Sequence, residues 1–232
     1  MEPVKLYVGS DKRESVGLSV FCYSVWSRAS VPVSITPLTE NLSHLWGGQR
    51  DSSNQFIYGR FLIPYLQSWK GWAIFADGAD MLMQADIADL WALRDDWKAV
   101  QVVRHDYKTK HPVKYLGGVN EDYERKNWSS LMLINCGHFS WRQITPEYVE
   151  KATGENLHRF QFIDDRYIGA LPDTYNWLVG EQGIYVNPRV DLGPSLPKLL
   201  HYTISIPAFK ECTITDYADE WREELKRATN VE

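Results

Sequence analysis

The sequence is poor in cysteine, has no signature loop for a dinucleotide or for a P-loop nucleotide, and has no long apolar run. Its three cysteines, Cys22, Cys136 and Cys212, are scattered and never fall in CxxC spacing. That fits reduced, structural thiols better than a disulfide framework or a zinc site. No GxGxxG follows the first apolar run and no GxxxxGK[ST] occurs anywhere, which removes the usual dinucleotide and P-loop readings. No stretch approaches the roughly 18 apolar residues of a membrane span. The opening MEPVKLYVGS lacks the basic start and apolar core of a signal peptide, so a cytoplasmic protein is expected. A basic stripe is also missing, and the net charge of -5 argues against a duplex nucleic-acid partner.

What is present is ordinary in bulk: 44% hydrophobic and 24% charged residues mark a globular chain. At 232 residues it is long enough for a full core, and one domain spanning residues 1–232 is expected. The aromatic content is less ordinary. Ten Trp and thirteen Tyr serve a core, but such rings also line sugar sites, where an apolar face meets C–H groups and a polar edge donates hydrogen bonds.

Apolar patterning predicts a strand at Val4 to Val8, a turn cluster at Gly9, Ser10 and Asp11, and a helix from Ser15 to Trp26. A second strand is expected at Val31 to Pro37, a loop at Asn41 to Asn54, a helix at Phe56 to Trp69 and a buried strand at Trp72 to Phe75. Beyond it come a short helix at Ile87 to Leu93 and strands at Ala99 to Arg104 and Ser130 to Asn135. Thr145 to Thr153 and Asp164 to Ala170 read as helices, Gly183 to Asn187 as strand-like, and Lys198 to Tyr202 as leading into a last strand or loop. The polar stretch His105 to Lys126 reads as a functional or mobile loop, and an amphipathic helix is expected at about 216–228. Strands alternating with helices indicate an α/β layer architecture, with ligands at the carboxyl ends of the strands.

The strand Trp72 to Phe75 runs straight into Asp77-Gly78-Ala79-Asp80. Gly78 permits a sharp bend, and two carboxylates facing one point suit Mn2+ or Mg2+, which complete their shells with water and diphosphate oxygens. Asp and Gly are equally the ordinary residues of a turn.

The stretch GWAIFADGADMLMQADIADLW, Gly71 to Trp91, resembles the DxD region of glycosyltransferase family 8 and related GT-A enzymes, with one extra residue between the aspartates. KLYVGSD (Lys5 to Asp11), YGRFLIPYL (Tyr58 to Leu66), KNWSSLMLINCGHF (Lys126 to Phe139) and LLHYTISIP (Leu199 to Pro207) follow the same family in the same order. The resemblance implies a GT-A, Rossmann-like nucleotide-diphospho-sugar transferase fold with a mixed central sheet flanked by helices. It implies a metal held by Asp77, Asp80 and His201, with Mn2+ as the first candidate and Mg2+ as the second. Tyr7, Gly9, Ser10 and Asp11 would lie near the base and ribose, and Arg60 would reach the donor site. His105, Asn127, Ser129 and Ser130 would form a donor and acceptor rim.

Family 8 enzymes retain anomeric configuration, so the resemblance also implies a retaining hexosyltransferase using a UDP-sugar or related donor and a hydroxyl acceptor. Asp164 and Asp165, in FIDDRYIG, resemble the family's Asp-Gln pair at the donor sugar. Helix capping is the plain alternative for an Asp there. The family's basic residue after the histidine has only Lys210 as a counterpart. Two other functions stay open: a nucleotidyltransferase or sugar-nucleotide hydrolase, and a non-catalytic carbohydrate-binding protein whose tryptophans stack on sugars.

Overall fold

A computed structural model describes residues 2–46, 57–113, 119–183, 197–209 and 215–229. The strand expected at Gly183 to Asn187 falls almost wholly outside the described residues, as do Lys210 and Cys212. Six strands form the main sheet: β1 (Val4–Ser10), β2 (Val33–Thr39), β3 (Trp72–Ala76), β5 (Val100–Val102), β6 (Leu131–Asn135) and β7 (Ile168–Ala170). Their order is β2-β1-β3-β6-β5-β7. Five strands run the same way and β6 alone is reversed, antiparallel to both β3 and β5. A smaller sheet has the order β4-β9-β8, from β4 (Met81–Met83), β8 (Trp177–Leu178) and β9 (Leu199–His201).

The central strands are apolar without interruption because both of their faces are covered. In β3, Ala73 and Phe75 enter one core with Phe61, Trp141 and Phe160, while Ile74 and Ala76 enter the opposite core with Phe21, Met81 and Leu90. β6 alternates in the same way, with Met132 and Ile134 on the first face and Leu131 and Leu133 on the second. Each fully buried Phe or Leu contributes about 1.5–3 kcal/mol of transfer free energy. A third core, built on Val20, Leu82, Leu200, Tyr202 and Trp221, joins the small sheet to α1 (Ser15–Trp26) and α3 (Ala218–Thr229).

Two expected helices are corrected. Phe56 to Trp69 is not continuous: a tight turn at Gly59–Leu62 is followed by the single-turn α2 (Ile63–Leu66). Pro64 near the start of α2 explains the break, since its ring would collide with a carbonyl four residues earlier inside a longer helix. Asp164 to Ala170 is a short turn at Asp165–Tyr167 and then β7, which pairs in parallel with β5. Pairing along β5 outweighs a local pattern too short to decide between helix and strand.

Candidate active site

Asp77 follows β3 at the sheet's carboxyl edge, and its backbone N–H donates to the carbonyl of Ser130 at 2.9 Å. Because β6 is reversed, the residues just before it reach this same edge. Gly78 has a φ of +81°, and a Cβ there would lie 2.1 Å from Val8 Cγ1, so the bend presses on β1 and admits no side chain. Gly17 in α1 is equally confined, since its Cβ would meet the Ala79 carbonyl at 2.0 Å.

The bend leads directly into β4, whose Met81 stands opposite His201 of β9. That register sets Asp80 beside His201: His201 Nε2 lies 3.2 Å from Asp80 Oδ2, and Tyr202 N–H donates to the Asp80 carbonyl at 2.8 Å. The pairing spans 121 residues of sequence. On its other side, His201 Nδ1 is 2.9 Å from Asn176 Oδ1.

Asp77 faces a different partner. Its Oδ1 is 2.7 Å from the Arg60 guanidinium, which also donates to the carbonyls of Ser129 at 2.8 Å and Ile57 at 2.9 Å and lies over the Phe75 ring. Burial pushes the Asp77 carboxyl up, and the Arg60 charge pulls against it. Among the described residues, no three His, Cys, Asp or Glu side chains converge as a metal-binding group. The structure brings Asp80 and His201 together and leaves Asp77 on Arg60.

The remaining expected residues divide. Tyr7 is a core residue whose hydroxyl accepts from Gln67 Nε2. Asp11 caps the turn at Lys12–Glu14 and binds the Arg13 guanidinium at 2.7–2.9 Å, which holds its carboxyl below the usual range. Gly9 and Ser10 close β1 beside Leu38 and Thr39. Burial, with a smaller push from His201, drives the His105 imidazole down to about 3. Asn127 adopts a left-handed φ of +62° and donates to the Tyr107 hydroxyl at 2.8 Å. Ser129 Oγ is 2.7 Å from Nδ1 of the half-buried His158. Asp164 caps the turn at Asp165–Tyr167, and Asp165 takes both of its hydrogen bonds from Arg125. Among the described residues, neither carboxylate bonds to Asp77, Asp80 or His201.

Glu14 and Asn176 were not expected from the sequence. Burial raises the Glu14 carboxyl to about 7, and Asp80, Asp11 and Asp77 add to the rise. Its place one turn before Gly17, the residue that packs on the acidic bend, is the signal that points to it. Asn176 follows a short turn at Asp173–Tyr175 and has no comparable signal.

At 39% identity, the chain resembles Protein CDI of Arabidopsis thaliana across 97% of its own length and 87% of that protein's. It belongs to the Protein CDI family. No protein-family model matches this CDI-family chain. Among solved structures, the apo glycosyltransferase GlyE of Streptococcus pneumoniae superposes with a TM-score of 0.64 at 16% identity, over 99% of this chain and 63% of GlyE. The chain thus spans less than two thirds of GlyE. The galactosyltransferase LgtC, solved with donor and acceptor sugar analogues, gives 0.60 at 13% identity over 99% and 98% of the two chains. The bifunctional glycosyltransferase WbbM gives 0.61 at 16% identity, over 96% of this chain and 49% of WbbM. At these identities the likeness is one of fold: the CDI-family chain has the GT-A α/β fold with a mixed central sheet. Among the described residues, no helix is long and apolar enough to cross a membrane.

Proposed function

We propose that this chain is a metal-dependent, retaining glycosyltransferase of family 8 type, in which residues 1–232 act as one catalytic domain. It moves a hexose from a nucleotide-diphospho-sugar, with UDP as the first candidate nucleotide, to a hydroxyl acceptor. The GT-A fold supports transfer from a nucleotide sugar. The observation that carries the reading is the Asp80–His201 pair, set 3.2 Å apart at the carboxyl edge beside Asp77.

The residues present fit a divalent cation. A carboxylate oxygen and an imidazole nitrogen face each other, and such O and N donors suit Mn2+, with Mg2+ as the harder alternative. Asp80 and His201 would hold it, with Asp77 joining directly or through water. When bound, the ion would neutralise a diphosphate and orient it as a leaving group. Arg60 is the partner that keeps Asp77 in position while that charge is handled.

In this reading the backbone of Gly9 and Ser10 faces the base and ribose, while Tyr7 supports that loop from the core. His105, Asn127, Ser129 and Ser130 border the donor and acceptor. Asp164 and Asp165 bind donor-sugar hydroxyls, which requires Asp165 to exchange its contact with Arg125. Calorimetry with UDP, with and without Mn2+, on wild type and Asp80→Ala tests the proposal. Binding is expected only for wild type in Mn2+; equal affinity in all four conditions would overturn the metal assignment.

A further inference from the structure

The hydrogen bonds around His201 can be followed proton by proton. Ser130 Oγ donates its one proton to the Asn127 carbonyl at 2.7 Å, and a carbonyl can only accept. Toward Asn176, 2.9 Å away, Ser130 Oγ can therefore only accept. The side-chain nitrogen of Asn176 must point there, and it meets a second acceptor, the same Asn127 carbonyl, at 3.4 Å. The Asn176 oxygen is thus turned to His201 Nδ1 at 2.9 Å, so Nδ1 must carry the hydrogen. In the neutral ring Nε2 then turns its lone pair to the carboxylate of Asp80, whereas in the imidazolium it donates to that carboxylate. The neutral ring therefore sets two acceptors 3.2 Å apart, an arrangement that a proton or a metal cation between them relieves.

Asn176 is fully buried, so this orientation cannot be relaxed by solvent. The Ser130 residue that fixes the amide also receives the Asp77 N–H on its carbonyl. A single segment, Asn127 to Ser130, therefore sets both the acidic bend and the imidazole.

We infer that Asn176, locked by Ser130, is a positioning residue that fixes His201 in its Nδ1–H form and so turns the Asp80–His201 pair into a seat for a divalent cation. The cation part rests on the metal-dependent reading proposed above; the orienting part does not. Such outer partners of a ligating histidine fix its tautomer and ring angle, and losing one lowers metal affinity by about 10–100-fold.

Two measurements separate the parts. Long-range 1H–15N NMR on histidine-labelled, metal-free protein reads the His201 tautomer, with His201→Gln as the assignment control. Loss of the free Mn2+ electron paramagnetic resonance signal on titration reads affinity. Wild type is expected to show hydrogen on Nδ1. Asn176→Ala should lose that preference and bind Mn2+ about 10–100-fold more weakly. Asn176→Asp still presents an oxygen to Nδ1, and with the Ser130 hydroxyl turned to donate to its other oxygen it should recover the Nδ1–H preference and most of the affinity. Hydrogen on Nε2 alone in the wild type overturns the inference. So does Asn176→Ala binding Mn2+ as wild type does, or a folded Asn176→Asp no better than Asn176→Ala. If Asn176→Ala does not fold, Ser130→Ala, which frees the amide to turn, replaces it with the same expected losses. Should wild type bind no Mn2+, the metal-dependent reading and the cation seat fall together, and the tautomer in each variant alone decides whether Asn176 orients the ring.

Discussion

Two charged arrangements in this protein are built on opposite plans. Arg28, just beyond α1, clamps Glu224 of α3 with two hydrogen bonds of 2.6 and 2.7 Å, and Arg227 adds a third contact. Glu224 is 1% exposed, yet its carboxylate is answered by positive charge. Asp80 and His201 meet across β4 and β9 at 3.2 Å, where a neutral ring sets a nitrogen lone pair toward the carboxylate. A closed pair of the first kind welds two helices together. The second arrangement is held by Asn176, Ser130 and the strand register, and with a neutral ring it leaves an imidazole nitrogen and a carboxylate oxygen that a cation can bridge.

The largest effect that sharpens this contrast is expected at Arg28. Arg28→Ala strands a buried carboxylate and should cost about 3–5 kcal/mol, read by chemical denaturation. A loss below 1 kcal/mol would mean that Arg227 and water replace the clamp, and the contrast would dissolve.

Asp80→Asn is expected to act in the reverse sense. The amide can donate to His201 Nε2, so metal-free stability should be unchanged or higher by up to about 1 kcal/mol, while Mn2+ binding is lost. A strong drop in metal-free melting temperature would show that Asp80 and His201 form a structural pair after all.

The third effect concerns Glu14. Its carboxyl titrates at about 7 when folded against an ordinary 4.5, so the folded protein binds the extra proton between those values. The sign follows: its favourable contribution is full below about 4.5 and disappears as pH rises through about 7. Glu14→Gln should therefore melt higher than wild type at pH 8 and alike at pH 4.5. Added Mn2+ should narrow the gap at pH 8 by offsetting the neighbouring aspartates. Equal melting at pH 8 would remove Glu14 from the acidic surroundings of the site.

Much of the sheet could be read from the sequence because its strands are apolar on both faces and end in turn residues, as Trp72 to Asp77 illustrates. The acidic bend was legible for the same reason, and His201 through resemblance and order along the chain. Partner choice was not. Nothing local reveals that Asp77 turns to Arg60, that Arg13 occupies Asp11, or that Tyr7 meets Gln67 inside the core, since each depends on a contact made by the folded chain. Asn176 is the extreme case: its role exists only after β8 has paired with β9 and brought it beside Ser130. The segment Asp164 to Ala170 was misread because three strand residues beside a capped turn carry too short a period to distinguish from helix.

The reversal of β6 has a further outcome for how such a protein can change. The polypeptide between β5 and β6 leaves the sheet and returns to it at the same rim, the edge that carries the acidic bend. Residues can be added to or removed from that excursion without shifting the register of either strand, at little entropic expense. On the glycosyltransferase reading proposed above, the frame that would grip the donor is thereby insulated from the segment that would meet the acceptor, and one can be rewritten while the other stands still.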